Sequence, residues 1–529
     1  MKSLFPEKYH RSIYIFSLIV LVIGLPLSKF LMSISQLIIM ANWLLEGNFK
    51  QKIKTFWNNK AAVLFASVMV LHFIGLLYTS DFDYAFKDMR IKLPLLVLPL
   101  VVSTSKPLSQ KLIDTILKLF VAATIAGTLV SMLILCGIID RPLVDTRSIS
   151  IFISHIRFSL LICVAICISL YYIFKETQVR NRLIMVALVI WLLAFLIIME
   201  SLTGLIALFV VGLVLTLYYI IKSNKPFIKY GGLAALASVF IFTITYVRGV
   251  ASENGNKEKL DLSKLERYTS QGNEYDSDVK STLTENGHLI WINYQKKELK
   301  EAWEKRSKIG FHDNDLKGNL LEFTLVRYLA SKGQKKDGAA VDALADTEIK
   351  AIERGVTNVN YQNISSLRGR IYETLWEIDV YKTTGNANGH SLTQRFEYWR
   401  TALGIIASHP LIGVGTGDVA RAFEEEYVRN NSSLAQQWRL RAHNQYLTFA
   451  VTFGIIGLTW FLFTLVYPFF NKVNRVNFLY VTFFIVATVS FFTEDTLETQ
   501  AGVTFYAFLN TFFLFAGEKK APLEEEGPL

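Results

Sequence analysis

The chain has 529 residues, 52% of them hydrophobic, and a positive mean hydropathy. A water-soluble domain of this size does not need so much apolar material to fill a core, so the excess has to face lipid. The formal charge of +11 does not argue for nucleic acid, because the clustered basic residues fall in short loops between apolar runs, where membrane topology and anionic headgroups account for them.

A helix needs about 20 apolar residues to cross the hydrocarbon. In chain order the sequence predicts spans near 11–28, 30–46, 61–79, 91–105, 112–138, 156–174, 183–199, 201–221, 230–247, 445–469, 477–493 and 501–517. The fourth run, around Leu93 and Pro94, is the weakest, and a re-entrant or interfacial helix is its alternative. Basic residues follow every second span: Lys50, Lys52, Lys54 and Lys60, then Lys106 and Lys111, then Lys175, Arg180 and Arg182, then Lys222, Lys225 and Lys229, then Lys472 and Arg475. The opposite loops carry Asp81, Asp83, Asp88, Asp140, Asp145, Glu494, Asp495 and Glu498. By the positive-inside rule both termini are expected in the cytoplasm. Cys136, Cys163 and Cys167 fall within predicted spans and are expected to be packing residues, with no disulfide or metal framework.

The expected fold is an all-α polytopic membrane protein of about 12 transmembrane helices, with a large, mainly helical insertion on the outer face between spans nine and ten. Residues 1–247 supply nine spans, 248–444 the outer segment, 445–517 three more spans and 518–529 a cytoplasmic tail. Within the insertion, 252–286 reads as irregular, and helical spacing of apolar residues appears over 290–329, 339–353, 368–381 and, as a helix returning to the membrane surface, 394–408. The scarcity of charges inside the spans argues against an ion-coupled transporter, which keeps ionisable groups near the midplane.

Two strings carry the most information. The first runs from Arg395 through Trp399 to His409-Pro410-Leu411 and a turn with Gly413, Gly415, Gly417 and Asp418. The second is Arg441-Ala442-His443-Asn444-Gln445-Tyr446-Leu447, at the mouth of the tenth span. Together they resemble the O-antigen ligase and O-antigen polymerase superfamily, in which an Arg-x-x-x-Trp helix, a Pro-Leu-x-Gly-x-Gly turn and a His-Asn-x-x-Leu motif recur.

The resemblance implies a GT-C-like glycosyltransferase of the bacterial inner membrane, acting at its periplasmic side. Its donor would be a glycan on undecaprenyl pyrophosphate, and its acceptor lipid A core oligosaccharide. A growing glycan or a protein hydroxyl are the alternative acceptors. A metal-independent, inverting transfer is expected, with no cofactor and with membrane lipids as the surrounding partner. His443 would be the general base, since imidazole can accept a hydroxyl proton near neutrality, and Arg395 would stabilise the departing pyrophosphate.

Arg157, His155, Arg147, Arg90, Arg441 and Asn444 are the further candidates for binding pyrophosphate or glycan. Arg157 and His155 stand out because the string from Ser154 to Ser159 puts polar groups at the mouth of an otherwise apolar span. One departure is plain: where the family carries an arginine at the start of the eighth span, this chain has Leu202, and Arg157 is the expected replacement. The glycine turn reads either as an anion cradle or as a close helix contact, Asp418 as the cap of the next helix, and Glu424, Glu425 and Glu426 as a solvated helix face.

Overall fold

The computed structural model describes residues 6–141, 146–255, 265–361 and 367–517. The segment 518–529, expected to be a cytoplasmic tail, and Asp145 lie outside them. The chain divides into two compact units, one made of residues 1–141, 146–216 and 395–529, the other of residues 142–145 and 217–394.

In chain order the first unit begins with α1 (Glu7–Leu27), α2 (Lys29–Glu46), α3 (Phe49–Asn58), α4 (Lys60–Gly75), α5 (Phe82–Lys92), α6 (Pro94–Thr104), α7 (Gln110–Leu135), α8 (His155–Lys175), α9 (Val179–Ile198) and α10 (Leu202–Lys222), the last of which runs on into the second unit. The second unit continues with α11 (Pro226–Gly255), α12 (Lys296–Glu304), α13 (Leu321–Ser331), α14 (Gly338–Asp342), α15 (Asp346–Glu353) and α16 (Leu367–Thr384). The chain re-enters the first unit within α17 (Ser391–Ser408) and ends with α18 (Val419–Arg429), α19 (Gln445–Val466), α20 (Lys472–Val476), α21 (Phe478–Thr493) and α22 (Gln500–Phe515).

Among the described residues, eight helices are long and apolar enough to cross a membrane: α1, α4 with its following turn, α7, α8, α9, α10, α11 and α19. Sequence reading anticipates 12 spans, and the difference has local causes. The second predicted span, α2, is followed by a 118° bend into α3, where Gly47 and Asn48 both take positive φ. The fourth shrinks to the 11 residues of α6, about half the length a crossing needs, and the last two are helices of 16 residues. Within the unit α1 packs on α2 and α7, α4 and α22 on α6, and α21 on α8. Cys163 and Cys167 are buried on α8, whereas Cys136 lies just past the end of α7 and is exposed.

The second unit has its own core, in which Trp303, Phe311, Leu325, Tyr328 and Ile352 are almost wholly buried. Of the described residues only Thr284–Glu285 and His288–Leu289 form a strand pair, an antiparallel hairpin. The apolar spacing read over 290–329 and 339–353 therefore corresponds to helices α12 to α15 around this cluster.

One span is broken. At Gly454 α19 departs from helical geometry, with φ 64° and ψ −166°, and the turn after α17 fills the breach. The amides of Val414 and Gly415 donate to the carbonyls of Val451 and Thr452 at 2.9 Å each, and those of Ile455 and Ile456 donate to Pro410 and Leu411 at 2.9 and 3.3 Å. Backbone groups released by the break are thus paired again, which an apolar environment demands. Glycine is required on both sides: a Cβ on Gly413 would lie 2.4 Å from backbone atoms of residues 451 and 452, and one on Gly454 2.2 Å from those of Leu411.

Candidate functional site

Between α21 and α22 the chain makes a short turn that carries three carboxylates, Glu494, Asp495 and Glu498, all buried. Each grips the segment leading into α19. The two oxygens of Asp495 accept the backbone N–H groups of His443 (3.1 Å) and Asn444 (3.0 Å), and Thr448 adds a hydroxyl bond at 2.7 Å. This pairing holds His443 at φ 46°, a left-handed conformation that costs a non-glycine residue on the order of 1 kcal/mol or more.

The His443 ring then meets Glu494, with Nδ1 at 3.2 Å from Oε2. A carboxylate can only accept, so Nδ1 carries the hydrogen, and in the neutral imidazole Nε2 keeps its lone pair. The side chain is 32% exposed. Burial alone would raise the Glu494 carboxyl. The hydrogen bond and charge of His443, with Arg395 and Arg157, outweigh it and hold the group below the usual carboxylate range.

The face of α17 explains the Arg-x-x-x-Trp spacing, since residues three and four apart share one side of a helix. Arg395 donates from Nη2 to Glu494 Oε1 at 3.0 Å. One turn on, the Tyr398 ring stacks on His443 at 5.5 Å, and Trp399 Nε1 donates to the Ala442 carbonyl at 3.0 Å. Arg395 and His443 therefore share one carboxylate from opposite sides.

Arg441 is bound at Nη1 to Glu498 Oε2 (2.8 Å), with the Tyr84 hydroxyl at 3.4 Å. Burial opposes its charge, and the Glu498 carboxylate more than compensates, so its guanidinium is held more firmly protonated than usual. Glu498 also takes Gln445 Nε2 at 3.1 Å and Lys92 Nζ at 2.9 Å, and Lys92 in turn reaches Asp88 at 2.7 Å. Asn444 caps α19, its side-chain oxygen accepting from Tyr446 and Leu447 N–H at 3.0 and 3.1 Å.

Arg157 lies in the first turn of α8, where Nε donates to Thr499 Oγ1 at 2.9 Å and Nη1 to Ser154 Oγ at 2.8 Å. Thr499 follows directly on Glu498, so Arg157 belongs to the same site. Two residues further along α8, Ser159 bonds to Ser201 at 2.8 Å, which ties this end of α8 to the start of α10 at Leu202. His155 is the first residue of α8. Arg90 sits on the exposed face of α5, opposite the buried Asp88 and Lys92. Arg147 lies in the turn Thr146–Ile149, its side chain outside the described residues.

Two readings of neighbouring residues change, and for the glycine turn one of the two alternatives holds. Asp418 does stand at the N-cap position of α18 but makes no cap bond. Its oxygens instead accept Ser80 N–H (2.9 Å), Ser80 Oγ (2.8 Å) and Asp81 N–H (3.1 Å). The glycine turn is a packing device: the amides from Gly413 to Gly417 all donate to protein carbonyl or hydroxyl oxygens, and none faces an anion. Glu426 is buried and not solvated, paired with Arg429 and Asn430. It packs where Gly404 leaves room, since a Cβ there would come within 2.1 Å of its carboxylate.

Sequence reading missed Glu494, Asp495 and Glu498 as site residues and used them as markers of membrane orientation. The available signal was three acids in five residues between two apolar runs, a costly place for charge unless it is paired.

Residues 342–462 match the family model described as O-antigen ligase. That match, over about a quarter of the chain, supports membership of the O-antigen ligase and polymerase superfamily. The matched stretch contains α17, the glycine turn and His443, while the acidic turn that holds them lies beyond it. The matched family is one of glycosyltransferase-like enzymes, and the long apolar helices fit a multi-pass membrane protein. No curated protein matches the chain.

Proposed function

We propose that the chain is an O-antigen ligase-type glycosyltransferase of the inner membrane, moving a glycan from undecaprenyl pyrophosphate to lipid A core oligosaccharide at the periplasmic face. The observation that carries this reading is the shared carboxylate: Glu494 fixes the tautomer of His443 and, through its other oxygen, the position of Arg395. In this reading His443 Nε2 takes the proton of the acceptor hydroxyl as that oxygen attacks the anomeric carbon. The bond from the sugar to phosphate breaks, and its electron pair leaves with the pyrophosphate. A single displacement of this kind inverts the anomeric centre.

Charge builds on the leaving pyrophosphate, and preorganised cations in a partly buried site stabilise it more than they would in water. Arg395, Arg157 and Arg441 are those cations in the proposal, which needs no metal ion. Arg157 takes the place of the family arginine absent at Leu202, supported by the Ser159 to Ser201 contact that brings the two helix starts together. His155, Arg147, Arg90 and Asn444 are kept as candidates for contacts to the glycan or the phosphates. In the same reading both termini are cytoplasmic and residues 248–444 are periplasmic.

Lipopolysaccharide from a strain lacking the gene tests the reaction. Ligase function predicts accumulation of lipid-linked polymer beside bare core. Core capped by a single repeat unit would identify a polymerase, and unchanged lipopolysaccharide would point to a protein hydroxyl as acceptor.

A further inference from the structure

The buried charges behind Arg441 have no part in the transfer just described. Asp88, Lys92 and Glu498 are 7%, 3% and 7% exposed, and with Arg441 they form a chain of alternating sign: Asp88 to Lys92 at 2.7 Å, Lys92 to Glu498 at 2.9 Å, Glu498 to Arg441 at 2.8 Å. His72 Nε2 faces Asp88 at 4.0 Å and the Tyr84 hydroxyl faces Arg441 at 3.4 Å. Two anions and two cations leave the cluster neutral. Stability alone is a poor reason for it, because a buried ionic cluster is often no better than apolar residues of the same volume.

Arg441 is the member of this chain that opens towards the site, with 28% of its side chain exposed. Glu498 is shared between Arg441 and Lys92, so the positive field Arg441 presents outward depends on how much of that carboxylate Lys92 neutralises. We infer that Lys92 is a positioning residue for the lipid-pyrophosphate donor, offsetting the buried negative charge of Asp88 and Glu498 so that the field Arg441 presents to the phosphates is not cancelled. The inference rests on the donor-binding role given to Arg441 above. Asp88 sets the balance from the other side by drawing on Lys92.

The experiment measures the affinity of the purified full chain in nanodiscs for undecaprenyl pyrophosphate. Lys92→Met leaves the cluster with one excess negative charge and weakens binding by about tenfold, the scale of a lost charge-assisted contact. Lys92→Met combined with Asp88→Asn restores neutrality and returns the Kd to within about threefold of wild type. A structural role gives the opposite result, since removing two buried partners damages packing more than removing one. An unchanged Kd in Lys92→Met, or a double variant no better than the single one, overturns the inference. Should Lys92→Met fail to accumulate, Asp88→Asn alone decides: it keeps Lys92, frees it for Glu498 and tightens binding by about threefold, and an unchanged or weaker Kd overturns the proposal. An Arg441→Ala variant that binds as tightly as wild type would instead remove the donor-binding role of Arg441.

Discussion

Two regions that carry the family resemblance, the surroundings of His443 and Arg395 and the glycine turn, end up doing different work. Around His443 and Arg395 the structure pairs each group on one side and leaves the other side open: Nδ1 is bound and Nε2 is not, and the Arg395 fork has one nitrogen on Glu494. Around Gly413 to Gly417 every amide donates inward to the protein, and each added Cβ would strike a neighbour. Both regions carry the resemblance, but chemistry is possible only where polar atoms are left over after the fold has been satisfied. The glycine turn is the frame against which the broken helix α19 is built.

Breaking the frame has the largest effect. Gly413→Ala forces a Cβ against the backbone of α19 and strains a residue at φ 68°, costing about 3 kcal/mol or more. The expected result is loss of folded protein, measured as recovery from detergent by size-exclusion chromatography. Activity per folded molecule stays unchanged.

His443→Ala sharpens the contrast from the other side. Turnover falls by about 100-fold or more while donor affinity and yield hold. Arg157→Ala should instead weaken donor binding strongly and Arg157→Lys only partly, because a point charge replaces a guanidinium fork incompletely. A His443→Ala enzyme working at the wild-type rate would eliminate the general-base role.

Glu494→Gln has the smallest effect, a drop in turnover of about tenfold, since orientation survives in part. Its pH behaviour is distinctive. The Glu494 carboxyl is held below its ordinary range, so its stabilisation is fully present above the unfolded value and is lost only as the pH falls through the lowered one. Melting temperatures between pH 6 and pH 3 should therefore drop less steeply in Glu494→Gln than in wild type. Parallel curves would show that the carboxylate is not linked to stability as described.

Much of this was legible in the sequence. Long apolar runs specify helices without tertiary help, and the spacing of Arg395 and Trp399 already places them on one side of α17. What the sequence hides are partners far apart in the chain. Glu494 and His443 are 51 residues apart, and Lys92 and Glu498 are 406 apart, with nothing in either local pattern to announce the other. Asp418 was misread for the same reason, because a cap is a local device and its real partners, Ser80 and Asp81, come from the α4 to α5 connection. Span length was overestimated at α6, where Pro94 at the N-terminus and the end at Thr104 leave a helix of 11 residues.

The break at Gly454 also governs how the protein can be made. Inserted by itself, α19 would carry unpaired carbonyls at Val451 and Thr452 and unpaired amides at Ile455 and Ile456, each costing several kcal/mol in hydrocarbon. The groups that relieve it, from Pro410 to Gly415, lie earlier in the chain and leave the ribosome first. Maturation of this segment is therefore a docking event between two parts of the chain, and a truncated protein beginning after residue 417 would hand the insertion machinery a span that cannot be completed.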